Sequence, residues 1–287
     1  MGNALDELVS LLALEQLEVN LFRGLSPDEN RQRVFGGQVA GQALIAAGRT
    51  VDDGDVHSLH AYFLRPGDPK VPIIYEVDRL RDGRSFTTRR VVAIQHGRPI
   101  FNLSASFQVP EEGPEHQYAM PAAPDPDTLP TLAERLVGHE DKFPEPVLEW
   151  MRRDRPIDTR SAQLPRWLDP EPGVREPEQL VWFRANGSLP DDPLLHQCIV
   201  AYASDLTLLD TATMAHARSW DDDRFMIASL DHAMWFHRPL RVDEWLLYHQ
   251  KSPSAQGARG IAEGFIYRRD GALSVTVIQE GLIRPIK

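Results

Sequence analysis

The sequence predicts an α+β fold built from two similar units, each an antiparallel sheet wrapped around a single helix. Three observations carry this expectation. The segment "HAYFLRPGD" at 60–68 is echoed by "HAMWFHRPLR" at 232–241, an offset of 172 to 173 residues. Each echo is followed by strand-like segments: "VPIIYEVDRL" and "SFTTRRVVAIQHGRPIFNLSASFQV" in the first half, "EWLLYHQKSP" and "ARGIAEGFIYRRDGALSVTVIQEGLIR" in the second. Each is preceded by a run of helical periodicity, "GGQVAGQALIAAGRTV" and "PLLHQCIVAYASDLTLLDTA".

In chain order, "GGQVAGQ" opens the first helix. It lacks the Lys-Ser/Thr of a phosphate loop and the spacing of a dinucleotide fingerprint, so its glycines read as close packing of helix on sheet. In the strand blocks, "QHGRP" and "RRDGA" place His-Gly and Asp-Gly between alternating apolar residues, a hairpin signal. Proline then accumulates in "MPAAPDPDTLP" and "LDPEPGVREPEQ", which interrupts ladders and helices. This connector has room for one helix around "TLAERLVGHEDKF" and a short one at "PVLEWMRR". The second unit starts with strands near Ile157 and "LVWFRANGSL". The expected division is therefore 1–109, a connector at 110–156, and 157–287. The alternative treats the connector as an insertion within one large domain. The second helix has Asp192 as N-cap and Pro193 at the first helical position, where a missing N–H costs nothing. It reads as one helix running past Asp205, because Cys198, Tyr202, Asp205 and Leu209 recur on one face.

Composition narrows the function classes. With 287 residues, 42% hydrophobic and 25% charged, the chain is an ordinary globular sequence larger than one small core. It has no apolar run of about 18 residues to cross a bilayer, and its acidic start does not read as a secretion signal. A cytoplasmic location is the expectation, in keeping with a single cysteine, Cys198, whose expected role is packing. A net charge of −11 argues against nucleic acid as a partner. His57 and His60 lie three apart on a strand and so point to opposite faces, which leaves no metal site expected.

Asp205 stands in an apolar stripe, where an unpaired carboxylate costs several kcal/mol or takes up a proton. From its own segment it could equally cap a local turn or pair with an arginine. Two other polar residues interrupt apolar patterns nearby. Gln279 ends the strand row Leu273, Val275 and Val277, and Ser229 is expected to share a face with Ile227, Ala233 and Trp235. The internal echo sets His57 opposite Ser229, Ser106 opposite Gln279, and Gln42 more roughly opposite Asp205. None of these three first-half positions is a carboxylate, so chemistry is expected in the second half.

The segments "FGGQVAGQAL", "HSLHAYFLRPGD", "RDGRSFTTRRVVAIQHGRPIF", "ASDLTLLDTA", "IASLDHAMWFHRP" and "VIQEGLIR" together resemble the type II acyl-CoA thioesterases, the bacterial TesB-like family. The likeness runs over nearly the whole chain and is weakest at 115–175. It implies a double hotdog fold, an acyl-CoA substrate and a homo-oligomer, a dimer or tetramer. It also implies a catalytic aspartate, threonine or serine, and glutamine in the second hotdog, which here are Asp205, Ser229 and Gln279. Serine stands where many relatives have threonine. That change keeps the hydroxyl but loses a methyl that fixes the rotamer.

Chemistry explains why such a set would suffice. A thioester carbonyl has little resonance stabilisation, so a positioned water can attack it directly. Asp205 would accept the water's proton while Ser229 and Gln279 hold the water in line, and backbone N–H groups would take the oxyanion. No metal or organic cofactor is needed. A Ser229 triad with His57 or His232 lacks the G-x-S-x-G elbow. A non-catalytic acyl-CoA binder or an enoyl-CoA hydratase remains the alternative. A hydratase needs a histidine beside a carboxylate, and His232 is expected on the face opposite Ser229. Arg65, Arg89, Arg90, Arg238 and Arg259 are the candidate cations for the phosphates of CoA.

Overall fold

Polar caps and apolar periodicity set the first elements of a computed structural model that describes residues 3–27, 32–143, 145–164, 173–216 and 225–286. Residues 168–172 of the second proline-rich run lie outside the described residues. Helix α1 (Ala4–Leu12) starts at a capping box between Asn3 and Asp6 and buries Leu5, Leu8 and Leu12. Strands β1 (Glu15–Glu18) and β2 (Leu21–Gly24) lead to α2 (Gly36–Gly48), in which Gly37 to Ala47 are all buried. A helix buried on every side belongs at the centre of its unit. Around it run β3 (Asp55–Phe63), β4 (Ile73–Asp82), β5 (Phe86–Gln95) and β6 (Arg98–Gln108). His96 and Gly97 have φ of 50° and 68° and join Gln95 to Arg98 in a two-residue hairpin turn, as the His-Gly signal predicts.

The connector contributes short helices only. Helix α3 (Leu132–Leu136) is shorter than "TLAERLVGHEDKF" suggests, because the chain turns at Val137 and Gly138 takes a φ of 80°. Helix α4 (Glu145–Arg152) follows. Before α3, Met120, Ala123 and Leu129 pack on Trp182, Trp245, Leu247, Tyr267 and Leu273. Two indole N–H groups, of Trp182 and Trp245, donate to Pro124 O and Asp127 Oδ1.

The second half repeats the plan with β7 (Ile157–Ser161), β8 (Glu178–Ala185), α5 (Pro193–Ser204), α6 (Leu208–Met214), β9 (Phe225–Ser229), β10 (Asp231–Phe236), β11 (Leu246–Gln256), β12 (Arg259–Arg268) and β13 (Leu273–Pro285). Asp192 caps α5 through its side chain, and Pro193 occupies the first turn. The helix does not run on past Asp205 as its periodicity suggests. It ends there, and α6 starts after Thr207, whose φ of −136° is not helical.

The strands join in the order β1-β2-β4-β5-β6-β3-β10-β13-β12-β11-β8-β7, with β9 also on β13. Two sheets thus meet edge to edge at β3 and β10, where His60 pairs with Ala233 and Leu59 with Met234. This is the double hotdog: two helices lie inside one continuous antiparallel sheet, and a single core cluster runs from Leu5 to Val277. The glycines of "GGQVAGQ" serve helix-on-helix rather than helix-on-sheet packing. A Cβ on Gly37 would lie 2.4 Å from the Tyr202 carbonyl oxygen, and one on Gly41 would lie 3.0 Å from that of Cys198. Cys198 is fully buried at this contact, and burial raises its thiol pKa well above the ordinary value.

Candidate active site

The break after α5 makes Asp205 the C-cap of that helix, with φ −87° and ψ −1°. A carboxylate is disfavoured at the negative end of a helix dipole, so the position needs other support. Gln279 on β13 supplies it, donating from Nε2 to Asp205 Oδ1 at 2.6 Å and to Ser229 Oγ at 2.9 Å. Ser229 Oγ in turn donates to Asp205 Oδ1 at 3.3 Å. The three residues singled out in the sequence therefore form one hydrogen-bonded triangle.

Ser229 reaches that triangle by a route the sequence pattern hides. Along β13, Ser229 pairs with Gly281 but Ala233 pairs with Ile278, so the chain from β9 to β10 carries one extra residue. Such a bulge flips the faces on either side of it. Ser229 points inward with Ile227, opposite Gly281 and Ile283, and does not share the face of Ala233 and Trp235. The Asp231 carboxylate holds the bulge by accepting from the Glu280 N–H at 2.7 Å.

The inward face of β10 also carries His232, so the expectation that His232 opposes Ser229 is corrected. Its Nε2 lies 2.8 Å from Ser204 Oγ, its Nδ1 is buried without a partner among the described residues, and burial lowers its pKa to about 4. It is a neutral imidazole bonded to a hydroxyl.

The first half adds a piece that sequence reading missed. Helix α2 starts at Phe35, which gives no side-chain cap, so the first-turn amides have no partner from that residue. The Gly37 N–H donates to the Asp205 carboxylate. Gly36 leaves room for the other oxygen: a Cβ there would sit 2.7 Å from Asp205 Oδ2 and 2.8 Å from Phe63 Cε1. The available signal was a helix with Phe35 at its cap, where Ser, Thr, Asp or Asn is usual, followed by two glycines.

Asp205 is surrounded by protein yet keeps partial solvent contact, as does Ser229, whereas Gln279 is fully buried. Desolvation raises the Asp205 pKa to about 6, and the bonds from Gln279, Ser229 and the Gly37 amide oppose that rise. Gln279 Oε1 is buried and has no partner among the described residues. It is an acceptor in want of a donor, on the same amide whose Nε2 bonds the Asp205 carboxylate, and a water can supply one.

The echo positions in the first half do not match this site. Matching the inward Leu59 and Ala61 of β3 to the inward His232 and Met234 of β10 sets His60 with Ala233 and Val56 with Ser229. With Ser104 against His60 and Ile278 against Ala233, the same match relates Ala105 to Gln279. Val56 and Ala105 are buried and apolar, so His57 and Ser106 are each one residue out. Gln42 is buried in a structural network, accepting from the Tyr75 hydroxyl and donating to the carbonyls of Leu11 and Leu25.

Arg89 is likewise removed from the candidate cations. It is 1% exposed, bonds to Thr50 and the Arg81 carbonyl, and pairs with Asp82. Arg90 pairs with Asp78, Arg238 with Glu115 and Arg259 with Glu280, while Arg65 donates to the Pro99 carbonyl. Arg33, unmarked in the sequence reading, reaches the carbonyl of Ile227 at 3.5 Å, two residues before Ser229.

Family models described as "Acyl-CoA thioesterase" and "Acyl-CoA thioesterase N-terminal domain" match residues 152–282 and 26–108. Acyl-CoA thioesterase 2 of Haemophilus influenzae is 42% identical over 99% of both chains. The chain belongs to the acyl-CoA thioesterase family. Acyl-coenzyme A thioesterase 8 of Homo sapiens is also 42% identical, over 96% of this chain and 88% of that protein. Among solved structures, acyl-CoA thioesterase II TesB2 from Mycobacterium marinum superposes with a TM-score of 0.79 at 48% identity, covering 98% of this chain and 99% of that one. The glycine pair at α2, the bulge beneath Ser229 and the break at Asp205 are thus features of an acyl-CoA thioesterase chain.

Proposed function

We propose that this protein hydrolyses fatty acyl-CoA to a free fatty acid and CoA by direct attack of water, with Asp205, Ser229 and Gln279 as the catalytic residues. The observation that carries the mechanism is the triangle around Asp205 Oδ1, whose bonds use neither Asp205 Oδ2 nor Gln279 Oε1. Asp205, with its pKa near 6, is ionised at neutral pH and basic enough to take the water's proton. Gln279 Oε1 orients the other water hydrogen, and Ser229 bonded to Oδ1 fixes the carboxylate plane. With the Gly37 N–H engaged on Asp205, the other first-turn amides of α2 supply donors for the oxyanion that forms as water adds. Collapse expels CoA as its thiolate, and the proton held by Asp205 returns to solvent or to the leaving sulfur.

The division of labour follows the notional units 1–109, 110–156 and 157–287: the C-terminal unit brings the acid–base set and the N-terminal unit brings the start of α2. No cofactor enters any step. The chain has no described helix long and apolar enough to cross a membrane, and the reading places a homo-oligomer in the cytoplasm. A binder without turnover, or a hydratase, is not favoured, because the only imidazole on this face of β10, His232, is bonded to Ser204 and poor in proton affinity. Thiol release from saturated acyl-CoA is the expected result, and the unsaturated-thioester absorbance of an enoyl-CoA is expected to fall only in step with thiol release. Loss of that absorbance without thiol release would overturn the reading.

A further inference from the structure

Asp205 sits on the break between α5 and α6, and both flanks of that break bond to one strand. Tyr248 and Gln250 are two apart on β11 and so point the same way; they are 1% and 0% exposed. The Tyr248 hydroxyl donates to the Ser204 carbonyl at 3.2 Å, immediately before Asp205. Gln250 Nε2 donates to Thr207 Oγ1 at 2.6 Å, two residues after it. Gln179 on β8 completes the clasp, donating to the Thr207 carbonyl at 3.1 Å and to Gln250 Oε1 at 2.8 Å. Thr211 Oγ1 donates to the same Gln250 oxygen at 3.2 Å. Tyr248 fits because residue 264 is glycine: a Cβ there would lie 2.2 Å from Tyr248 Cε2.

Buried amides and phenols cost free energy unless paired, and aliphatic side chains could fill the same volume. Here the pairs converge on residues 204 and 207, the two ends of the segment whose middle is Asp205. None of these groups bonds to Asp205, Ser229 or Gln279 in the described structure. A periodic helix would carry Asp205 elsewhere; the clasp engages the main chain or side chain at both ends of the segment where the chain departs from helix.

We propose that Gln250 and Tyr248 are positioning residues for hydrolysis: β11 fixes the main chain on both sides of Asp205, so that its carboxylate stays on Ser229, Gln279 and the start of α2. The inference rests on the reading of Asp205 as the general base. A misplacement of about 1 Å can cost about 100-fold in rate, so loosening the clasp acts on turnover more than on substrate capture.

The test compares Thr207→Val, Thr207→Ser, Gln250→Met and Tyr248→Phe with Asp205→Asn in the full-length enzyme, by thiol release from acyl-CoA across pH. Thr207→Val and Gln250→Met are expected to lower kcat about 10- to 100-fold at near-constant KM and to displace the acid limb of the pH profile. Thr207→Ser, which restores the acceptor, is expected to recover most of kcat. Tyr248→Phe removes one oxygen and keeps the packing, so it reports even if Gln250→Met does not fold; a smaller loss of kcat at unchanged KM is expected. Wild-type kcat and an unshifted acid limb in Thr207→Val and Tyr248→Phe, with Asp205→Asn inactive, would overturn the positioning role and leave the base intact. An active Asp205→Asn would instead overturn the base.

Discussion

A carboxylate that accepts bonds from an amide side chain, a hydroxyl and a backbone N–H would titrate low in water; at Asp205 desolvation outweighs those bonds and sets the pKa to about 6. Two expectations follow at this residue. Hydrolysis should lose rate below about pH 6, as one proton neutralises the base, and a flat kcat/KM profile between pH 5 and 8 would contradict this assignment. The folded-state pKa also lies above the ordinary value of 3.8, so folding takes up a proton between the two. The associated stability is present at low pH and is lost as pH rises through about 6. Above that pH the ionised carboxylate costs at most about 3 kcal/mol, reduced by its partial solvent contact. Asp205→Asn should therefore raise Tm at about pH 8 and change it little at about pH 4, whereas a lower Tm at both would show that the carboxylate is structural. At Ser229, Thr should be tolerated, and Ala should cost about 2–4 kcal/mol in kcat/KM, the scale of one lost preorganised donor. A fully active Ser229→Ala enzyme would make the hydroxyl a packing group.

Two elements turn these residues into a site, and they differ in how plainly the sequence shows them. The paired glycines that open α2 are visible in "FGGQ", but their use is not, because the groups they approach, Tyr202 O and Asp205 Oδ2, lie more than 160 residues away in the chain. A methyl at Gly36 would occupy the space beside Oδ2, so Gly36→Ala is expected to lower kcat by at least about 10-fold while α2 still forms, alanine being the better helix former. Circular dichroism and thiol release on the same sample check both halves of that statement. The bulge at Leu230 is less legible. Strict alternation through "FMIASLDHAMWF" groups Ser229 with Ala233 and Trp235, and only the partner strand shows that one residue is extra. The helix break at Asp205 is hidden for the same reason: apolar periodicity continues into α6, while the polar partners that stop the helix come from Gln179 and Gln250.

At the scale of the molecule, the repeat and the helix in each half follow from patterns within each segment, which is why the α+β double unit is readable from the chain, whereas the edge-to-edge joining at β3 and β10 pairs segments about 170 residues apart. The residue-by-residue match of the repeat is not readable, since "HA" recurs at 60 and 232 while the inward faces set His60 with Ala233. A net charge of −11 sets the remaining global constraint, because a polyanionic CoA must be drawn in against it. Apparent KM for acyl-CoA is expected to rise with ionic strength while kcat holds, and Arg33→Ala is expected to raise KM at low salt and flatten that dependence. A KM independent of salt in the wild-type enzyme would assign affinity to the acyl chain instead. The central claim, that one carboxylate activates water for direct attack, is tested most directly by thiol release from acyl-CoA in the Asp205→Asn enzyme near pH 8, at substrate concentrations shown to saturate it. The expected result is bound substrate with turnover lowered about 100- to 10,000-fold; turnover within about tenfold of wild type would contradict it.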